Sequence, residues 1–140
     1  MVEGQNVIIE RRYSEGREDR HTAFVAEFVQ MQVDLIVASS SAAAQAAKQA
    51  TSTIPIVMLA VGSPERLGLV VSLARPGGNV TGMSNQLGGE VSGKMFQMLK
   101  ETVPKLSKVA VLWNPDNVGS AISFREGEVP AAKALGVALV

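Results

Sequence analysis

The chain has 140 residues, 46% of them hydrophobic, and a mean hydropathy of +0.19, enough apolar material to give one ordinary globular unit a core. Lys and Arg number 13, Asp and Glu also 13, and no basic stripe stands out, which argues against nucleic acid or an anionic membrane surface as partner. With no Cys and one His, His21, disulfide frameworks, cysteine nucleophiles and histidine-rich zinc centres are excluded.

In chain order, the β-branched run Val-Ile-Ile between Asn6 and Glu10 predicts a first strand. The charged stretch "RRYSEGREDRH" follows as a loop ending at His21. Phe24, Phe28 and Met31, with Val25 and Val29 beside them, recur at helical spacing and predict an amphipathic helix over Asp19 to Gln32, with Asp19 capping it or favouring its dipole. Leu35 to Ala38 is apolar without alternation, the pattern of a strand buried on both faces of a parallel sheet. A helix over Ala42 to Ala50 and a second buried strand over Ile56 to Val61 come next. Ser63 as N-cap and Pro64 at the first helical position predict a short helix. Pro76-Gly77 suits a type II turn ahead of a strand at Val80 to Met83.

Val91, Met95, Met98, Leu99 and Val103 form the stripe of a further helix that Pro104 stops. Lys108 to Trp113 predicts another strand, followed by the polar loop "NPDNVGS" and a less regular helical stretch ending at Leu135-Gly136. Val137 to Val140 opens one more strand. Strand and helix alternate with short connections, so the fold class is α/β with a parallel sheet and right-handed crossovers. The natural boundary lies between Val103 and Lys108.

Ligands of open α/β sheets bind beyond the carboxyl ends of the strands. Three such ends look prepared. Ser39, Ser40 and Ser41 with Ala42 offer hydroxyls and unpaired N–H groups at a helix N-terminus, where a carboxylate or phosphate is favoured; N-capping accounts for one of these serines, and tight loop filling for the others is the competing reading. Gly62 and Ser63 form the second end, Gly62 allowing close backbone approach. Trp113-Asn114-Pro115-Asp116-Asn117 is the third, with an aromatic face, two amides and a carboxylate, where an Asn-Pro turn explains Asn114 and core packing is the usual fate of Trp113. No G-x-S-x-G elbow, P-loop or G-x-G-x-x-G follows any strand, so no cofactor is implied, and Glu90 and Asp116 have no pattern that pairs them. Binding is favoured over catalysis.

The motifs "VEGQNVIIERRYSEG", "VDLIVASSSAAAQAAKQATSTIPIVMLAVGSP", "GLVVSLARPGGNVTGMS" and "KLSKVAVLWNPDN" together resemble the ABC-transporter substrate-binding proteins of the TrpX-like group, in the type I periplasmic binding protein superfamily. The resemblance implies a two-lobed receptor, each lobe a doubly wound parallel sheet of flavodoxin-like type, that closes on a small solute, an amino acid or related carboxylate, and hands it to ABC permease subunits. By position, Ser39 to Ser41, Ala42, Gly62 and Ser63 would line the cleft from one lobe and Asn114 from the other. Relatives commonly read V-G-D-P where this chain reads "VGSP", so the acid that would meet a ligand amine is missing at Ser63.

The resemblance also implies that residues 1–104 are a first ligand-binding lobe lacking its first strand and helix, and 105–140 the opening strand-helix-strand of the second. In the 2-1-3-4-5 strand order of such a lobe, a gap would fall between the strands at Val7 and Leu35, leaving edges open to self-association. Gly127 and Pro130 interrupt a helix that relatives keep continuous, predicting a kink or a restart at Pro130. The family works in the periplasm or anchored outside the membrane. Met1 reads as a start inside a longer receptor frame, and the chain as written, with no export signal or spanning stretch, would stay cytoplasmic. The alternative is a cytoplasmic flavodoxin-like enzyme or regulatory domain with an anion site at Ser39 to Ser41.

Overall fold

The computed structural model describes residues 2–85 and 89–140, with positions 89 and 90 described by backbone alone. Helix α1 (Arg20–Gln30) leads to strand β1 (Ile36–Ala38), helix α2 (Ser41–Ala50), and strands β2 (Ile56–Val61) and β3 (Val80–Ser84). The three strands form a parallel sheet in the order β1-β2-β3. Val25 of α1, Ala44 and Ala47 of α2, and Ile36, Ile56 and Val80 of the strands close the core of this unit. The alanines matter because a side chain of one carbon lets α2 lie close against the sheet.

The register of β2 on β3 fixes the end of the sheet. Met58 pairs with Gly82 and Val61 with Ser84, so β2 carries one extra residue, a bulge in which Ala60 adopts φ +52°. Gly82 has φ +135°, and a Cβ there would lie 2.0 Å from the Met58 carbonyl oxygen, so only glycine fits. Two tethers hold the loops beneath. Asn79 Nδ2 donates to the Thr51 and Ile54 carbonyls at 3.0 and 2.9 Å, and Lys48 Nζ to those of Gly68 and Leu69 at 2.7 and 2.9 Å.

A second packing unit contains α3 (Gly89–Thr102), β4 (Lys108–Val109), α4 (Val118–Ser123), a π-helical segment Phe124–Glu128, α5 (Val129–Ala134) and β5 (Ala138–Leu139). β4 and β5 pair in parallel as a separate two-stranded sheet, and Phe96, Ala131, Ala132 and Val137 form its core. α3 belongs to this unit through Phe96, although the sequence placed the boundary after it. The irregularity expected at Gly127 and Pro130 is present: the Phe124 carbonyl accepts from the Val129 N–H, a five-residue π bond, and α5 starts with Pro130 in its first turn. Proline has no N–H to continue an α-helical ladder, and the wider turn absorbs the defect.

Several expectations fail for identifiable reasons. The strand over Asn6 to Glu10 does not form; an isolated bridge joins Glu3 to Val7, and Ile8 is 85% exposed. A β-branched run makes a strand only against a neighbour, and this run has no ladder partner among the described residues, so the described three-stranded sheet also shows no gap. β1 is buried on one face alone, with Val37 56% exposed. Asp19 occupies the cap position of α1 but makes no cap bond, because its carboxylate accepts from Arg17. Pro64 to Gly68 is a turn and not a helix: Ser63 has φ +48°, incompatible with extended N-cap geometry, and its carbonyl accepts from the Leu67 N–H. His21 sits in the first turn of α1, not in a loop. The α3 stripe of Val91, Met95, Met98 and Leu99 is exposed, while Ser92 and Phe96 face inward. The strand expected over Lys108 to Trp113 shortens to two residues, Leu112 being fully exposed, and that over Val137 to Val140 to Ala138 and Leu139. Gly77, at φ +75°, fits the turn expected of it.

Candidate functional site

A cavity of about 240 Å³ opens where β1 and β2 end and α2 and α4 begin. Its first wall is Ser39, Ser40, Ser41, Ala60, Gly62 and Ser63, with Asn85 beyond β3; the second is Asn117, Gly119, Ser120 and Ser123. The walls come from the two packing units and meet at two glycines. A Cβ on Gly62 would lie 3.2 Å from Gly119 Cα, and one on Gly119 would lie 3.2 Å from Ser41 Oγ. The backbones approach this closely only because neither residue has a side chain.

The three serines divide their work. Ser40 is the N-cap of α2, its Oγ accepting from the Ala43 N–H at 3.1 Å, while the Ala44 N–H bonds the Ser40 carbonyl. The N–H groups of Ser41 and Ala42, in the first turn, have no partner within the helix. Ser41 is 7% exposed and Ser63 2%, both line the cavity, and no hydrogen bond of either hydroxyl is found among the described residues. Hydroxyls that meet only the solvent of a cavity can be taken up by a polar group of a solute. Across the gap Asn117 caps α4, its Oδ1 accepting from the Ser120 N–H at 3.0 Å. Among the described lining residues none carries a charge. The donor set suits an anion through hydroxyls, amide N–H groups and the positive end of the α2 dipole.

Five of the seven residues singled out from sequence, Ser39, Ser40, Ser41, Gly62 and Ser63, come together on one wall. Two do not line it. The Ala42 side chain is not part of the lining, and Asn114 is exposed, its Oδ1 accepting from the Asp116 N–H at 3.0 Å in the local turn. Trp113 is stacked on Phe124, ring centroids 4.7 Å apart, as a packing residue. The Glu90 side chain lies outside the described residues. Asn117, the last residue of the third strand end named from sequence, does line the cavity, while Asn85, Gly119, Ser120 and Ser123 were missed. A smaller hollow of about 80 Å³ adjoins at Ser39, lined by His21, Phe24 and Phe28 among others.

A family model described as ABC transporter substrate binding protein matches residues 1–140. The chain belongs to that family. A curated relative, a tyrosine-binding protein of Clostridioides difficile (strain R20291), is 38% identical over 120 residues, which are 86% of this chain and 34% of the relative. Among solved structures, a conserved domain protein from Vibrio cholerae superposes with a TM-score of 0.88 at 32% identity, over 99% of this chain and 45% of that one. A Streptococcus ABC domain in complex with L-Trp gives 0.86 at 26% identity, again over 99% and 45%. A ligand-free, open substrate-binding protein with adhesive properties from Clostridium difficile gives 0.70 at 31%, over 99% and 46%. The chain therefore spans less than half the length of these substrate-binding relatives. Among the described residues no helix is long and apolar enough to cross a membrane.

Proposed function

We propose that the chain forms part of the solute cleft of an ABC uptake receptor, and that the 240 Å³ cavity receives the carboxylate end of an amino acid or related small carboxylate without transforming it. The observation that carries this reading is the pair of serines on the cavity wall, Ser41 and Ser63, whose hydroxyls bond nothing among the described residues, beside the first-turn N–H groups of α2. A relative named for binding tyrosine and a solved neighbour holding L-Trp support an amino acid as the solute class. The two packing units correspond to one lobe and the opening of a second, and the packing of Phe96 supports drawing the division ahead of α3 instead of at residue 104. In this reading the full-length protein works outside the cytoplasmic membrane and delivers to permease subunits. The exposed β1 edge, with Val37 beside it, favours self-association of the isolated chain.

The test is thermal unfolding of the chain against amino acids and small carboxylates. A solute acting here raises the midpoint by mass action, RT ln(1 + [L]/Kd), and Ser41→Ala with Ser63→Ala abolishes the rise. A rise unchanged in that double variant would refute the site.

A further inference from the structure

The lining described above holds an anion well and offers no charge to a cation, yet the solute class supported above carries an ammonium as well as a carboxylate. One carboxylate stands just behind the second wall. Ser123, which lines the cavity, donates through Oγ to Glu128 Oε1 at 3.2 Å. Glu128 Oε2 is buried and has no hydrogen-bond partner among the described residues. This carboxylate has one donor, Ser123, and no ion-pair partner among the described residues, so its charge is available to a cation brought up to that hydroxyl.

The π-helical segment creates this arrangement. Ser123 and Glu128 are five residues apart, a spacing that α-helical geometry would rotate well away from a common face and that a π turn stacks. The Phe124 carbonyl takes the Val129 N–H across the same interval, and Pro130 denies the next α-helical bond. Gly127 seats the segment against α3, where a Cβ would lie 2.8 Å from Ser92 Oγ. Single π turns of this kind recur at functional sites.

We propose that Glu128 is the positioning residue and counter-charge for the solute's ammonium, acting through Ser123. With its proton committed to Glu128, the Ser123 oxygen turns its lone pairs to the cavity and accepts from an N–H donor. The carboxylate charge lies one hydroxyl behind, and the opposite wall, at Ser41 and Ser63, takes the solute's carboxylate. This inference rests on the amino-acid reading of the cavity.

The experiment compares matched pairs, L-tyrosine with its 2-hydroxy counterpart and L-tryptophan with its own, by calorimetric titration of the 140-residue chain. The ammonium forms should bind the wild-type chain about tenfold more tightly or better, as expected for a desolvated charge interaction. Glu128→Gln and Ser123→Ala should each bring the two members of a pair within about threefold of one another. Ser63→Asp in the Glu128→Gln background should restore the preference by supplying a carboxylate from the first wall, a rescue that a purely structural role for Glu128 does not give. Circular dichroism separates loss of fold from loss of discrimination. Amino acids that bind with undiminished preference in Glu128→Gln overturn the inference and leave the amino-acid reading standing. If neither member of either pair binds the wild-type chain, both are overturned.

Discussion

Gly82→Ala should destabilise the chain far more than any other glycine-to-alanine change on the sheet. The added Cβ would sit 2.0 Å from the Met58 carbonyl oxygen and 2.7 Å from its nitrogen. Carbon–oxygen contacts normally begin at about 3.3 Å, so β2 must withdraw by more than about 1 Å. Withdrawal breaks the pairing of Met58 with Gly82, at about 1 kcal/mol for each hydrogen bond lost. A φ of +135° adds backbone strain of about 1–3 kcal/mol for any residue with a Cβ. The sum is about 3 kcal/mol or more, a large part of the roughly 5–15 kcal/mol that stabilises a typical domain. Gly78→Ala is the control: its Cβ would meet open space, so it should shift stability by no more than about 1 kcal/mol, in the stabilising direction. Urea unfolding followed by far-ultraviolet dichroism reads both, with the slope checked for constancy. A Gly82→Ala chain within about 0.5 kcal/mol of wild type would show that β2 and β3 do not pair in this register.

The two central serines should separate stability from binding. Ser40→Ala removes a cap and should cost about 1 kcal/mol in urea unfolding, whereas Ser41→Ala, whose hydroxyl bonds nothing among the described residues, should leave stability unchanged or raise it while weakening solute binding. Asn79→Ala leaves the Thr51 and Ile54 carbonyls without their donor and should lower stability by about 1–3 kcal/mol, read in the same assay. The Glu3 and Asp19 carboxylates lie below their ordinary pKa values, in each case chiefly through the hydrogen bond from Arg11 or Arg17. A lowered carboxylate pKa stabilises the fold above the unfolded-state value and loses that contribution as pH falls through the folded-state value. Both pairs are fully exposed, so thermal midpoints of wild type and the Glu3→Gln, Asp19→Asn double variant should differ slightly at neutral pH, converge on acidification, and converge at neutral pH in high salt.

What the sequence revealed was local. Buried strands, capped helix starts and the glycine of a tight turn are dictated by neighbours within a few residues, so β2, α2 and the Pro76-Gly77 turn were legible, and so was the wall built from Ser39 to Ser41 with Gly62 and Ser63. The opposite wall was not, beyond Asn117, because Ser120 and Ser123 are ordinary helix residues until the fold sets them against β1 and β2. The strand expected at Val7 to Ile9 failed on the same ground: propensity was present, a partner was not. The α3 stripe had a helical period without a face to bury, since the direction of packing was decided by Phe96 and Ser92. At Pro130 the sequence announced a defect but not its form. A π turn and a kink both satisfy a missing N–H, and only the π turn brings Glu128 behind Ser123.

The join between the two packing units explains why the cavity is where a solute would act. Their core clusters share no residue, and an exposed ion pair, Arg66 with Glu126, crosses from the Pro64 turn to the π segment. Such a pair contributes about 0–1 kcal/mol, too little to fix two bodies. A further close approach among the described residues, Gly62 against Gly119, is backbone on backbone with little apolar area. Relative motion of units joined this way is the default expectation. A solute that bonds Ser41 and Ser63 on one wall and Ser123 on the other therefore adds interactions that exist only when the walls are together, and its affinity is spent on their disposition. Gly119→Ala tests this. Its methyl would press on Ser41 Oγ at 3.2 Å and Asn117 Oδ1 at 3.3 Å, holding the walls apart by a few tenths of an ångström. Unfolding stability should change by less than about 1 kcal/mol while solute affinity falls about tenfold. Equal losses in both would mean that the two units behave as one rigid body.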